Sequence, residues 1–382
     1  MKTFAVLTPP RILFGRGEAA KAPDLIRTFG SRGLVVHGAS ASRAAWLVEG
    51  LRGTGAEVMT LACRAEPVLA GVLEATEAAR GFRPDWVAAI GGGAVLDFGK
   101  ALAALVPSVT PALDHLEVVG KGLPLGTPPL PFIALPTTSG TGSEVTRNAV
   151  IGLPEHGRKV SLRDDRMVAR LAIVDPALTD GAPHRVTLAS GLDAVVQVIE
   201  PYVSLKATPY TDALSLPAIK QGIAALARLM EGEDQAARDA LSWVSLCGGL
   251  ALSNGGLGAV HGFAGVLGGI IPAPHGLICG RLIGPVLRAN RDRVGGPMAE
   301  RLDLVFAVLA SVLGGRAKDA PESLCDWVAA QRLAPLRAFG LAPDRFEAVA
   351  EAAQSSSSMK GNPAALGVAD LVAILQHEAR IG

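Results

Sequence analysis

The segment Trp86–Ile90 (WVAAI) runs without a break into Gly91, Gly92 and Gly93, and then into AVLDFGKALAAL, which is helical in character. An apolar run that ends in glycines opening a helix reads as a buried strand feeding a βα turn, which commits this part of the chain to a parallel sheet with crossover helices. Four more runs share the form: Gly33–His37 (GLVVH), Val58–Leu61, Phe132–Leu135 (FIAL) and Leu171–Val174, each bounded by Gly, Pro or charge. A buried helix fragment gives a similar run, so periodicity leaves that alternative open for any one of them. Between Ala149 and Leu162, AVIGLPEHGRKVSL reads as two strands around a PEHG turn, a hairpin inserted into the α/β order.

After Asp175-Pro176 the strand-like runs stop, and alanine and leucine recur at helical spacing, as in Gln221–Met230 and Pro321–Arg332. A chain of 382 residues is long for one core. The turn-rich stretch Leu178–Arg185 (LTDGAPHR) is the expected boundary, giving an α/β domain over 1–180 and an all-α domain over 181–382. Net charge is +1, from 36 basic and 35 acidic residues, so there is no basic excess for nucleic acid or an anionic membrane. The partner is expected to be a small molecule. Cys63, Cys247, Cys279 and Cys325 lie far apart with no CxxC, and read as buried free thiols. Pro9, Pro10 and Arg11 interrupt the N-terminal apolar run before a signal-peptide core, and no stretch is long enough to span a bilayer, so a cytoplasmic protein is expected.

The strand, glycine turn and helix start at Gly91, Gly92, Gly93 and Ala94 form an anion site, where backbone N–H groups approach a pyrophosphate and the helix dipole favours its charge. A plain turn is the alternative. A second loop strengthens the reading: Leu135 leads into PTTSGTGSE, Pro136–Glu144, at the C-terminal end of a strand, where ligands of open α/β sheets bind. Thr137, Thr138, Thr141 and Ser143 supply more hydroxyls than helix capping needs. Asp97 and Lys100 either support the first loop or decorate a helix face.

In the second half, Ser190-Gly191-Leu192-Asp193 is read as opening a helix that continues to about Ile199, with Pro201 ending or kinking it. Asp193 and Gln197, four apart, share one face. His261, in GAVHG, and His275, in APHG, sit among glycine and apolar residues that solvate an imidazole poorly, so each wants a partner or a metal. A carboxylate and two imidazoles can converge on a divalent cation and leave a position for substrate. His37, His115, His156, His184 and His377 stand in loop-like or charged contexts and are not expected to be ligands.

The segments GGGAVLDFGKA, PTTSGTGSE, KVSLR, VDP, SGLDAVVQVIEPYVS, AVHGFAGVLGG and PHG, in this order and spacing, resemble the iron-containing (group III) alcohol dehydrogenase family, of the dehydroquinate synthase-like superfamily, along essentially the whole chain. The resemblance implies an N-terminal dinucleotide-binding domain, a helical C-terminal domain, and a divalent iron or zinc in the cleft. Asp193, His261 and His275 then match three metal-ligand positions. Gln197 stands where the usual pattern has a third histidine, so weaker or more selective metal binding is expected, with the amide or a water in that position. Gly265 replaces another frequent histidine near the nicotinamide. Lys159, in KVSLR, matches a position facing the cofactor, although a solvated hairpin lysine fits equally.

The implied reaction is reversible hydride transfer between NAD(P) and an alcohol, aldehyde or ketone, in a protein that is commonly a homodimer. After the second strand the chain reads Gly38, Ala39, Ser40, Ala41, Ser42, Arg43, with no acid to repel a 2′-phosphate, so NADP is expected to be accepted alongside or above NAD. The alternatives are a metal-independent reductase resembling maleylacetate reductase, a polyol or glycerol dehydrogenase, and, last, a nucleotide-binding protein with little catalysis.

Overall fold

The computed structural model describes residues 3–381. They divide into two compact units: residues 7–138 and 142–180 form one, and residues 3–6, 139–141 and 181–381 the other.

The first unit is built on eight strands: β1 (Ile12–Phe14), β2 (Arg32–His37), β3 (Glu57–Ala62), β4 (Trp86–Gly91), β5 (Phe132–Pro136), β6 (Asn148–Leu153), β7 (Arg158–Arg163) and β8 (Leu171–Val174). Its helices are α1 (Ala22–Arg27), α2 (Ala45–Gly53), α3 (Leu69–Phe82), α4 (Gly93–Leu105) and the single turn α5 (Ala112–His115). Six strands form one sheet in the order β1-β8-β5-β4-β2-β3, with every pairing parallel. β6 and β7 form a separate antiparallel hairpin around Pro154–His156.

Side chains alternate across a strand, so the runs that look uniformly apolar serve two cores. Leu34, Val36, Val87 and Ala89 pack with Val72 and Ala79 of α3 and Leu102 of α4. Val35, Trp86, Ala88 and Ile133 pack on the other face with Ile26 of α1 and Leu47 and Leu51 of α2. At about 1.5–3 kcal/mol per fully buried large side chain, this two-sided burial is what holds a parallel sheet together. All five expected strands and the hairpin are present. β1 was not expected, because three residues following Pro9-Pro10 carry too little pattern.

The second unit is helical: α6 (His184–Tyr202), α7 (Pro209–Glu231), α8 (Gln235–Gly255), α9 (Ala259–Ile270), α10 (His275–Arg293), α11 (Gly296–Leu313), α12 (Ala320–Ala330), α13 (Phe346–Gln354) and α14 (Val368–Ile381). The expectation that Ser190 opens a helix is corrected here. α6 starts at His184, directly after Pro183, so Ser190 lies inside it, and Pro201 is accommodated within the helix one residue before its end. No single helix among the described residues is long and apolar enough to cross a membrane. Two smaller corrections concern polar residues. Cys325 is only half-buried, and His115 is not loop-like but buried, bonded through Nε2 to Ser108 and through Nδ1 to the Leu123 carbonyl.

Glycines set the closest helix contacts in this unit. A Cβ on Gly276 would lie 2.0 Å from the Ala189 carbonyl oxygen, so α10 can approach α6 this closely only with glycine there, and one on Gly280 would lie 2.4 Å from Leu192 Cδ1 and force that side chain to move. Gly248 does the same for α8, where a Cβ would meet Gln197 Cβ at 2.9 Å. These approaches bring side chains from distant parts of the sequence together around Asp193.

Candidate metal centre and nucleotide loops

In the α/β unit, Gly92 is the residue before α4 and no side chain caps the helix start. A Cβ on Gly92 would press on Thr138 Oγ1 at 3.3 Å, and the Thr137 N–H donates to the Gly91 carbonyl at 2.9 Å, so the two glycine loops lie against each other. Beside them is a pocket of about 380 Å³ lined by Gly38, Ala39, Ser40, Arg43, Gly91, Gly92 and Thr137. Backbone amides at a helix start, hydroxyls and one guanidinium suit a phosphate-bearing ligand.

Other residues named from the sequence are engaged with the protein itself. Asp97 accepts from Ser143 Oγ at 2.6 Å and from the Val150 N–H at 3.0 Å, which ties α4 to the second loop and to β6. Lys100, fully buried, donates to the Ser143 carbonyl and to Thr146 Oγ1, both at 2.9 Å. Burial lowers its pKa, against the pull of Asp97. Glu144 is buried in the same loop, and burial pushes its pKa up to about 7. Lys159 is ion-paired with Glu66, across from Gly152 on the hairpin. Thr141 belongs with the helical unit, as does Ser139, whose hydroxyl bonds that of Ser242 at 2.9 Å.

In the helical unit the structure brings together Asp193 from α6, His261 from α9, and His275 and Cys279 from α10, with one potential ligand atom from each lying within 4.8 Å of the others. His261 Nε2 is 3.3 Å and His275 Nε2 is 3.7 Å from Asp193 Oδ1. Two ligands about 2.1 Å from a tetrahedral ion stand about 3.4 Å apart, so these separations fit a shared cation. A second observation agrees. Asp193 Oδ1, Gln197 Oε1 and His261 Nε2 are buried side-chain atoms with no hydrogen-bond partner, a costly arrangement that one cation would resolve.

The electrostatics point the same way. Burial raises the pKa of Asp193, but the neighbouring His275 charge and the His261 contact outweigh it and bring the value below the ordinary range. Burial works against charge on His261, yet the Asp193 and Glu200 carboxylates beside its two nitrogens push its pKa up to about 10.

Sequence reading missed two members of this group. Glu200, one helical turn beyond Gln197 on α6, accepts from His261 Nδ1 at 2.7 Å and from the Val260 N–H at 2.7 Å, so it caps α9 and fixes the ring. Its signal was the 193, 197, 200 spacing on one helix face. Cys279 was overlooked because cysteines were judged by CxxC spacing, whereas its signal was the four-residue step from His275. Gln197, four residues after Asp193 on α6, is buried and acts on the Asp193 carboxylate, and beside the Gly265 position there is open space.

Comparison with known proteins accords with this geometry. Residues 9–176 match the family described as "Iron-containing alcohol dehydrogenase", and residues 187–379 match "Fe-containing alcohol dehydrogenase family, C-terminal". The chain is 33% identical over 375 residues to "Probable alcohol dehydrogenase EutG" of Salmonella typhimurium, covering 95% of this chain and 91% of that protein. It is 32% identical over 300 residues to the lactaldehyde reductase of Escherichia coli, covering 77% of each. Its fold matches the iron-containing alcohol dehydrogenase of Thermococcus thioreducens with a TM-score of 0.87 at 27% identity, over 99% of this chain and 100% of the other. This chain therefore belongs to the iron-containing alcohol dehydrogenase family and is an NAD(P)-dependent oxidoreductase that interconverts alcohols and carbonyl compounds.

Proposed function

We propose that the protein reduces aldehydes, and in reverse oxidises alcohols, with NADP accepted at least as well as NAD, and with a divalent cation held by Asp193, His261 and His275. The convergence of Asp193, His261 and His275, with Asp193 Oδ1 and His261 Nε2 buried and unbonded, carries this reading. When bound, the nicotinamide supplies the hydride, and an iron or zinc ion polarises the substrate oxygen on which charge develops.

The chain's own residues prepare that step. Asp193 provides the negative charge of the site from a buried helix face, and Glu200 orients His261 by holding Nδ1, so that Nε2 faces Asp193. Gln197 contributes a neutral amide oxygen where charge compensation is weaker than a third imidazole would give. The Gly91–Ala94 turn and Thr137 and Thr138 orient the pyrophosphate, while Ser40 and Arg43 accept a 2′-phosphate. Asp97 and Ser143 brace these loops from within. With no side chain at position 265, the alcohol proton leaves by water, the cofactor ribose or another residue. Residues 1–180 thus serve the nucleotide and 181–382 the metal and substrate, in a homodimer working in the cytoplasm.

A second reading, a metal-independent reductase, is favoured by Gln197 alone. Steady-state oxidation of NADPH and NADH with a panel of small aldehydes, before and after chelator treatment, separates the two. Chelator-sensitive turnover that persists with NADPH supports the proposal, and turnover indifferent to chelation or confined to NADH counts against it.

A further inference from the structure

We propose that Cys279 is a ligand of this metal site, taking over as a thiolate the position that Gln197 serves only weakly. This rests on the metal-dependent reading above and goes beyond the Asp193, His261 and His275 set. Cys279 Sγ is within 4.8 Å of the donor atoms of all three. It follows His275 by four residues on α10, so both side chains leave the helix on the same face. The close approach of α10 to α6 at Gly276 and Gly280 aims that face at Asp193.

Charge and softness favour sulfur over the amide. The whole group except His275 is buried, and a divalent cation met by Asp193 alone keeps an excess positive charge away from water. On coordination the thiol proton passes to solvent and a sulfur lone pair forms the bond to the cation, so Asp193 and Cys279 together neutralise it. A bound metal ion favours the thiolate over the thiol at a buried sulfur beside it. Cys279 is placed as a donor rather than as a reactive nucleophile. A set of one carboxylate, two imidazoles and one thiolate is softer than one of carboxylate and imidazoles, and favours zinc or cobalt over manganese and magnesium.

The test is absorption spectroscopy of the full-length protein, stripped of metal and loaded with cobalt(II). The expected result is an intense near-ultraviolet thiolate-to-cobalt band that is absent from Cys279→Ala and retained in Cys247→Ala. Zinc affinity of Cys279→Ala should fall on the order of 100-fold, at or beyond the upper end of losses seen when groups outside the ligand set are removed. Cys279→Ser, with nearly the same volume, should lose the band and keep the fold. Cobalt bound with only weak visible bands in the unaltered protein, or a thiolate band that survives in Cys279→Ala, would overturn the assignment and leave the metal-dependent function standing. Failure to bind cobalt at all would overturn both.

Discussion

The glycine turn after β4 and the side-chain group on α6, α9 and α10 are both sites for a ligand, but they are made of different material. At Gly91–Ala94 the groups offered to a ligand are main-chain amides, and the surrounding side chains, Asp97, Lys100 and Ser143, are bonded to one another. Around Asp193 the backbone is satisfied within helices and the side chains are the ones with unmet polar atoms. The first site is therefore local in sequence and tolerant of side-chain change, whereas the second depends on three helices coming together, α10 meeting α6 at glycines, and is sensitive to each donor.

Single substitutions can break that contrast. Asp193→Ala removes the only carboxylate among the donors and should empty the site, with loss of bound metal and a fall in kcat on the order of 1,000-fold, read by metal analysis and steady-state kinetics. A smaller loss would mean that the side-chain group is less interdependent than its geometry implies. Glu200→Gln keeps volume and the acceptor for Val260 but weakens the hold on His261, and should reduce metal affinity about 10–100-fold, measured by competition with a chelating dye.

On the nucleotide side the effects are milder and separable by cofactor. Arg43→Ala should raise KM for NADPH about tenfold, as expected for one charge-assisted contact, with KM for NADH nearly unchanged. Equal effects on both cofactors would place Arg43 away from the 2′-phosphate. The smallest effect concerns stability. Burial raises Glu144 from an ordinary 4.5 to about 7, so the native state keeps a proton that the unfolded chain has released. Stability linked to this group is complete below pH 4.5 and declines as pH rises toward 7. Glu144→Gln should flatten the fall of Tm across that window, measured by scanning calorimetry.

The same contrast explains what could be read from the sequence. The strands around Trp86–Ile90 and Phe132–Leu135, the hairpin and both glycine loops were legible because each is a contiguous pattern of burial or turn chemistry. β1 was not, since Ile12–Phe14 is held by pairing with β8 rather than by its own composition. The start of α6 was misplaced because Ser190 looks like a cap, while the true start at His184 follows a proline that makes no side-chain capping bond. Asp193, Gln197, His261 and His275 were identified through the family motifs. Glu200 lies within the segment SGLDAVVQVIEPYVS but was given no role there, Cys279 lies outside the motifs, and only the packing of α6, α9 and α10 shows what they face.

The most direct test of the account is the metal content of the purified protein and of Asp193→Ala, by mass spectrometry, with NADPH-dependent aldehyde reduction followed before and after chelation. The account predicts about one divalent metal per chain, its loss in the variant, and activity that falls with chelation and returns with added zinc, cobalt or iron. Full activity in protein free of metal would contradict it and assign the chemistry to a metal-independent reductase.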